Sequence, residues 1–483
     1  MIKDKKFWIA LLVVLAFYGV FLQTTYATDT YSNFIASRRQ NAEWFLGLGR
    51  PLMSLASILI GNFSVNKIVL ISTILAFVSL TISIYILDRV LSKKIKNQFL
   101  SFILAVTILI VPFEIELFIY EEKGIMLLGI LFATIAIKFF NDYIADNARK
   151  NLLKTMLFAV MSIMCYQGVF GFFIVLSAAL VLIESKNWKE FFKNTAIAVA
   201  VYAIASLLNF VVISTAKYNV RIDGNFNLIE SFKTILPQFR SLFNLYGIIP
   251  SRIVYSVIAV VIVLTVAFIC TNKTNKAQKI KVLLGVPYIF VVTVLAAIAP
   301  VVVQSPEKVW CVPRSTVVFT AILGIIALIT TAVLKEYGNK KVYITIMLSG
   351  IIVFLAAQLY CFTNIEHNHF QMVALDKERA LTIGEKIKKY EEENNTQIKT
   401  ISVSPDKTIH FVYYGIIAVG DGNISAMSRE WSDVNSISYW NERVFERIEA
   451  SEENKKYCQE HEWEHFSEDQ LIFNEDTLHI CAF

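Results

Sequence analysis

Residues 66–88 read NKIVLISTILAFVSLTISIYILD. No charged side chain lies between Lys67 and Asp88, and at 1.5 Å per helical residue the run is long enough to cross about 30 Å of hydrocarbon. Runs of the same kind recur near 7–23, 99–113, 124–140, 152–166, 168–185, 194–214, 252–271, 282–303, 314–334 and 342–363, which makes eleven candidate spans. The weakest pair is 152–166 and 168–185, because the first is short and ends at Tyr166 and Gln167; merging the two would change the topology. Hydrophobic residues make up 56% of the chain, above the 45–50% or so of soluble domains. The expected fold is an all-α polytopic membrane bundle of about eleven helices.

Charge sets the expected orientation. Basic residues collect after every second span: Arg89, Lys93, Lys94 and Lys96; Arg149, Lys150 and Lys154; Lys186, Lys189 and Lys193; Lys273, Lys276, Lys279 and Lys281; Lys335, Lys340 and Lys341. The positive-inside bias then puts the N-terminus in the cytoplasm and the C-terminus outside. The first span follows a short basic stretch but is long for a signal-peptide core, and no A-x-A site follows it, so it is read as an anchor.

The net charge of +6 conceals two opposite parts: residues 1–363 carry 33 Lys and Arg against 16 Asp and Glu, whereas 364–483 carry 12 against 23. The reading therefore divides the chain into a membrane domain, 1–363, and an acidic soluble domain, 364–483. Helix periodicity at 374–393 and β-type runs at 398–404, in TIHFVYYGIIAVG and in the closing LIFNEDTLHICAF make the latter a small α/β unit. On the outer, oxidising side Cys458 and Cys481 could pair or stay as two thiols. Cys165, Cys270, Cys311 and Cys361 lie in or beside spans and read as core residues.

The outer loops are long after spans one and seven, and both carry helix-period apolar patterns: Tyr31, Phe34, Ile35, Ala42, Phe45 and Leu46 in one, Leu228 to Phe243 in the other, with Pro237 expected to kink the second. These read as amphipathic helices in the membrane interface. The outer loops hold Asp29, Arg38, Arg39, Glu43 and Arg50, then Glu114, Glu116, Glu121, Glu122 and Lys123, then Arg221 and Arg240, then Lys308 and Arg314. Charge at the rim of a bundle is costly and marks functional cavities. Carboxylates with guanidiniums at the outer surface suit sugar transfer from a polyprenyl phosphate. The leaving phosphate needs positive charge and no general acid, and the acceptor hydroxyl needs one base. Glycoside hydrolysis, by contrast, needs two paired carboxyls.

YATDTYSNF, GLGRPLMS at 47–54, VPFEIELFIYEEKGIML and CYQGVFGFFIVLSA at 165–178 together resemble the Gtr-type (GtrII-like) integral-membrane glucosyltransferases of the GT-C class, over most of residues 20–330. The resemblance implies transfer of a hexose, glucose above all, from a polyprenyl-phosphate donor to a bacterial surface polysaccharide such as O-antigen or a cell-wall glycopolymer, with inversion. It matches Asp29 to the first-loop catalytic acid, acting as base, and Tyr120 and Glu122 to the second-loop aromatic and acidic positions. Relatives often show paired acids where this chain has Thr28 and Asp29, so Glu114, Glu116 or Glu122 could share the work. Arg38, Arg39, Arg50, Arg221 and Arg314 are the candidates for the donor phosphate. Glu114, Tyr120, Lys123, Tyr166 and Gln167 are the candidates for sugar or acceptor contact. Lipid-linked donors further imply, as functional partners, a flippase and a polyprenyl-phosphate sugar synthase, besides membrane lipids.

Each assignment has a plainer counterpart. Asp29 could cap a helix starting at Thr30, Arg38 and Arg39 could bind lipid headgroups, Arg50 could fix the entry of the next span, and Arg314 could snorkel. HEWEH at 461–465 fits H-E-x-x-H, but the metzincin continuation fails at Glu468 and Leu471, so it reads as a solvated acidic turn. His367 and His369 read as interfacial. No metal ligand set, Gly-rich phosphate loop or nucleic-acid pattern is found; no cofactor is demanded, and a divalent metal is left open. The alternatives are a lipid-linked saccharide flippase or other transporter, which expects charge at mid-span, and a surface-polysaccharide polymerase. The expected location is the plasma membrane of a bacterium, with the C-terminal domain outside.

Overall fold

The structure is a computed structural model and describes residues 1–217, 227–257, 259, 263, 276–333, 340–404, 420, 422–461, 463 and 467–482. The chain divides into two compact units. The first comprises Met1–Leu22, Ala42–Phe118 and Glu122–Phe362; the second comprises Gln23–Asn41, Ile119–Glu121 and Thr363–Phe483.

In chain order the helices up to residue 217 are α1 (Lys5–Tyr18), α2 (Thr28–Ile35), α3 (Arg38–Gly47), α4 (Pro51–Ile60), α5 (Val65–Leu91), α6 (Gln98–Leu109), α7 (Glu114–Ile119), α8 (Lys123–Asp146), α9 (Arg149–Cys165), α10 (Gln167–Glu184) and α11 (Trp188–Thr215). Among the described residues seven helices are long and apolar enough to cross a membrane: Lys5–Leu22, Val65–Leu91, Lys123–Asp146, Gln167–Glu184, Trp188–Thr215, Leu283–Val302 and Ile344–Asn394. Gln98–Leu109 and Val317–Ala332 are apolar but shorter, and most of the 252–271 run lies outside the described residues.

The centre of the first unit is α8, which packs on α5, α9 and α10. Hydroxyls in α5 are buried at little cost because they bond back to their own helix, Thr73 to the Val69 carbonyl at 2.9 Å and Ser83 to that of Ser79 at 2.7 Å. One end of α5 is tied by a buried carboxylate: Asp88 accepts from Lys6 Nζ at 2.8 Å and from Ser101 Oγ at 2.5 Å. The doubtful break at 166 is a true one. Tyr166 is extended (φ −163°, ψ 123°), ends α9 and serves as the N-cap of α10. In the long loop after α11, the helix Leu228–Ile235 gives way at Leu236–Gln238 to a 3-10 turn containing Pro237, then resumes at Phe239–Phe243. Proline has no N–H to continue the α ladder.

The second unit is built on a four-stranded sheet of order β2-β1-β4-β3, with β1 (Thr400–Ser404), β2 (Glu446–Arg447), β3 (Leu471–Asn474) and β4 (Thr477–Cys481). β1 runs parallel to β2 and β4, and β3 and β4 form an antiparallel hairpin. The 408–420 run read as a strand lies outside the described residues apart from Gly420. The helix read at 374–393 is the end of one 55-residue helix, Lys340–Asn394; no proline interrupts it, and the glycines at 350 and 384 each cost it only about 1 kcal/mol. Its Ala380, Ile383 and Ile387, at helical spacing, meet Ile401, Val403, Leu478 and Ile480 of the sheet and Val434 and Ile437 in one apolar core.

Cys458 and Cys481 are joined by a disulfide across a separation of 23 residues. Replacing both by serine is expected to lower the unfolding free energy of this unit by about 3 kcal/mol, through the extra freedom of the unfolded chain. Denaturant titration of the detergent-solubilised protein, followed by tryptophan fluorescence, reads this; coincident curves for the two proteins would refute it.

Candidate active site

In the first unit, a cavity of about 280 Å³ brings together four of the residues singled out from the sequence, Arg50, Tyr166, Gln167 and Arg314. Its remaining walls are largely apolar: Ile163, Phe170, Tyr202, Phe210, Ile213, Val303 and Trp310, among others. Arg50 precedes Pro51, which starts α4, and its guanidinium lies 4.5 Å from the centre of the Tyr166 ring. A clamp of two side-chain amides fixes the chain entering Arg50. Gln167 Nε2 donates to the carbonyls of Leu48 (2.8 Å) and Gly49 (2.9 Å), and Asn209 Nδ2 donates to the latter at 2.6 Å. Gly49 sits at φ +73°, and a Cβ there would come within 2.6 Å of Ile213. Only glycine satisfies both conditions.

Arg314 is the second guanidinium on the cavity wall. Its backbone N–H donates to Glu116 Oε2 at 2.5 Å, and its guanidinium is 3.7 Å from Glu116 Oε1, a carboxylate only 1% exposed. The chain can pass this close because residue 168 is glycine; a Cβ there would stand 2.5 Å from the Arg314 carbonyl. Two guanidiniums thus line one cavity whose other walls are largely apolar.

Glu114, Glu122 and Lys123 also belong to the first unit but do not line this cavity. Glu114 is wholly buried, accepts the Tyr18 hydroxyl at 2.7 Å, and Tyr18 stacks on Phe118 at 3.8 Å. Burial pushes its carboxyl well above the usual carboxylate range, against the opposing pull of the Tyr18 hydrogen bond. A carboxyl raised in the folded state adds stability in acid, and that contribution is lost as pH rises from the ordinary carboxylate range through the raised value. Glu114→Gln is therefore expected to cost under about 1 kcal/mol, since an amide can still accept from Tyr18, and to flatten the loss of thermal stability with rising pH. Melting curves in detergent across the pH range check both; an equally steep loss in the variant would show that Glu114 is not its source. Lys123 is fully buried with Nζ 5.3 Å from the Phe21 ring centre. Glu122 occupies the N-cap of α8 without a side-chain cap bond.

Asp29 belongs to the second unit. The helix α2 begins at Thr28 with Ala27 as N-cap, two residues before the Thr30 start read from sequence, so Asp29 lies inside the first turn and is not the cap. Trp431 Nε1 donates to Asp29 Oδ1 at 3.0 Å. Ser32 Oγ and Asn435 Nδ2 both donate to the Trp431 carbonyl, the latter at 2.9 Å. Beside them Tyr26, Tyr31, Tyr439 and Trp440 form an aromatic cluster. Asn33 Nδ2 donates to Glu121 Oε1 at 2.6 Å, and Tyr120, next to Glu121, is buried. Arg38 and Arg39 are exposed at the start of α3, Arg240 is exposed, and Arg221 lies outside the described residues. His369, read as interfacial, is buried against Thr25, with Nε2 2.5 Å from Oγ1. HEWEH is described only at His461 and Trp463. Among the described residues, the grouping of three possible metal ligands is Cys458, His479 and Cys481, and the disulfide occupies both sulfurs.

The model of the family described as Glucosyl transferase GtrII matches residues 18–331, more than half of the chain. The chain belongs to this GtrII glucosyl transferase family. No curated protein matches it. The GtrII match spans Asp29, Arg50, Glu116, Tyr166, Gln167 and Arg314 and stops short of Trp431. In this GtrII protein the sequence reading missed three contributors. Asn209 had a usable signal, an amide deep in the apolar run of α11, well past Asn194 near its start. Trp310, in the cavity wall, and Trp431, on Asp29, had none, because a tryptophan near a membrane is ordinarily an interface residue.

Proposed function

We propose that the protein transfers glucose from a polyprenyl-phosphate donor to a surface glycan on the outer face of the plasma membrane, as an inverting enzyme of the GT-C type. The observation that carries this reading is that Arg50 and Arg314 line one largely apolar cavity. Apolar walls accept the first part of a hydrocarbon chain, and guanidiniums pair with phosphate oxygens. A soluble nucleotide donor has no need of such walls.

The reaction is a single displacement. The acceptor hydroxyl oxygen forms a bond to C1 of the glucose as the C1–O bond to phosphate breaks, and the phosphate leaves with that bonding pair, which inverts C1. The hydroxyl proton goes to the Asp29 carboxylate. Arg50 and Arg314 neutralise the charge that grows on the departing phosphate. Glu116 holds Arg314, and Tyr166 holds Arg50. Glu114 is assigned a structural role in its aromatic pocket. The disulfide supports an extracytoplasmic second unit, since such bonds persist in oxidising compartments.

The test is transfer of label by the purified protein from synthetic polyprenyl-monophosphate glucose to isolated surface polysaccharide. Label in the polymer is expected. No transfer from any monophosphate hexose would return the flippase reading, and transfer from a pyrophosphate-linked donor alone would return the polymerase reading.

A further inference from the structure

The exposed tryptophan on Asp29 has a geometry that packing alone does not require. Trp431 keeps 44% of its surface exposed, yet it is held at two points: the indole N–H by Asp29 at 3.0 Å, and the backbone carbonyl by Asn435 at 2.9 Å together with Ser32. The guanidinium of Arg429 lies 5.6 Å from the ring centre. An exposed aromatic ring normally moves among rotamers and gains little from water. Fixing it keeps an apolar plane presented beside a carboxylate and a guanidinium. Pyranose rings need that combination, because their axial C–H groups make an apolar face while their rim carries hydroxyls that bond to charged groups.

We infer that Trp431 is the platform on which the acceptor sugar stacks, so that the C-terminal unit supplies the acceptor subsite and Asp29 is held at its edge. The inference rests on the role proposed above for Asp29. The family match ends at residue 331, so the Trp431 platform lies in the part of this chain that the match does not cover. It would set which glycan is decorated, while the cavity at Arg50 and Arg314 serves the donor.

The experiment measures binding of surface polysaccharide, isolated from the cells that make the protein, to the full-length protein in detergent without donor, and then the KM for each substrate. Trp431→Ala is expected to weaken polysaccharide binding and raise the acceptor KM about tenfold, the loss of one stacking contact, with the donor KM unchanged. Trp431→Phe keeps a ring but loses the N–H; it is expected to bind polysaccharide within about threefold of wild type while transferring more slowly. Thermal melting and an intact Cys458–Cys481 disulfide verify folding of both variants. Wild-type affinity in Trp431→Ala overturns the inference. So does equal loss in both variants, which would make the N–H and not the ring responsible, or failure of the wild type to bind the polysaccharide. Binding that depends on the Trp431 ring, in a protein that moves no sugar from polyprenyl-phosphate glucose, would keep this subsite and overturn the transferase reading.

Discussion

Asp29→Asn is expected to reduce glucose transfer by about 100-fold or more while leaving the fold intact, the range for removing a positioned general base. The substitution is chosen for what it preserves. Asparagine is the same size as aspartate and keeps a carbonyl oxygen that can accept from Trp431 Nε1, so the link between α2 and the Trp431 segment survives. What is lost is the charge and the ability to take a proton. The first-turn position adds a small effect, since a carboxylate there interacts favourably with the helix dipole, at about 0.3–1 kcal/mol, too little to unfold the unit. Rates of label transfer at saturating donor and acceptor, with melting temperatures measured alongside, separate the two contributions. A variant retaining more than about a tenth of wild-type activity would remove Asp29 from the chemistry and direct attention to Glu122, a second-loop acid that is only partly buried.

Arg50→Gln is expected to lower kcat/KM for the donor by about 10- to 100-fold, the loss of a charge-assisted contact to phosphate. Arg50 is the cleaner of the two guanidiniums to remove. Its chain is held by the Gln167 and Asn209 amides through backbone carbonyls, which the substitution does not touch. Arg314 is more entangled, because its side chain faces the buried Glu116; Arg314→Gln is expected to cost stability as well as activity, although the backbone N–H bond to Glu116 persists. In the proposed role both groups serve one phosphate, and the double variant should then lose less than the product of the single losses. Full multiplicative loss, or an effect confined to the acceptor KM, would place the phosphate elsewhere.

Much of the architecture follows from local pattern. The apolar runs that became α5, α8, α10 and α11 are long and uncharged at their centres, and a helix is what satisfies every backbone group of such a run within the segment itself. The start of β1 and the hairpin of β3 and β4 lie within stretches read as β from their composition. The GtrII family was recognisable because its residues fall in order along one stretch, 18–331. Element ends were less legible. The beginning of α2 at Thr28 is fixed by the Ala27 N–H bond to Thr30 Oγ1, and the fusion of two read helices into Lys340–Asn394 hinged on the absence of a proline.

By itself, then, the sequence determined the class of protein, the family and which loops hold the ionisable residues, because hydropathy, charge and motif order are properties of neighbours along the chain. Only the tertiary structure decided which of those residues meet. It put Arg50 and Arg314 on one cavity and tied Arg314 to Glu116 across 198 positions. It sealed Glu114 inside an aromatic pocket and brought Trp431 to Asp29 across 402 positions. Such contacts come from the packing of whole helices and of a sheet, and the free energy that holds them, apolar area removed from water together with buried hydrogen bonds, is shared over many residues distant in sequence. No local pattern of residues encodes that meeting.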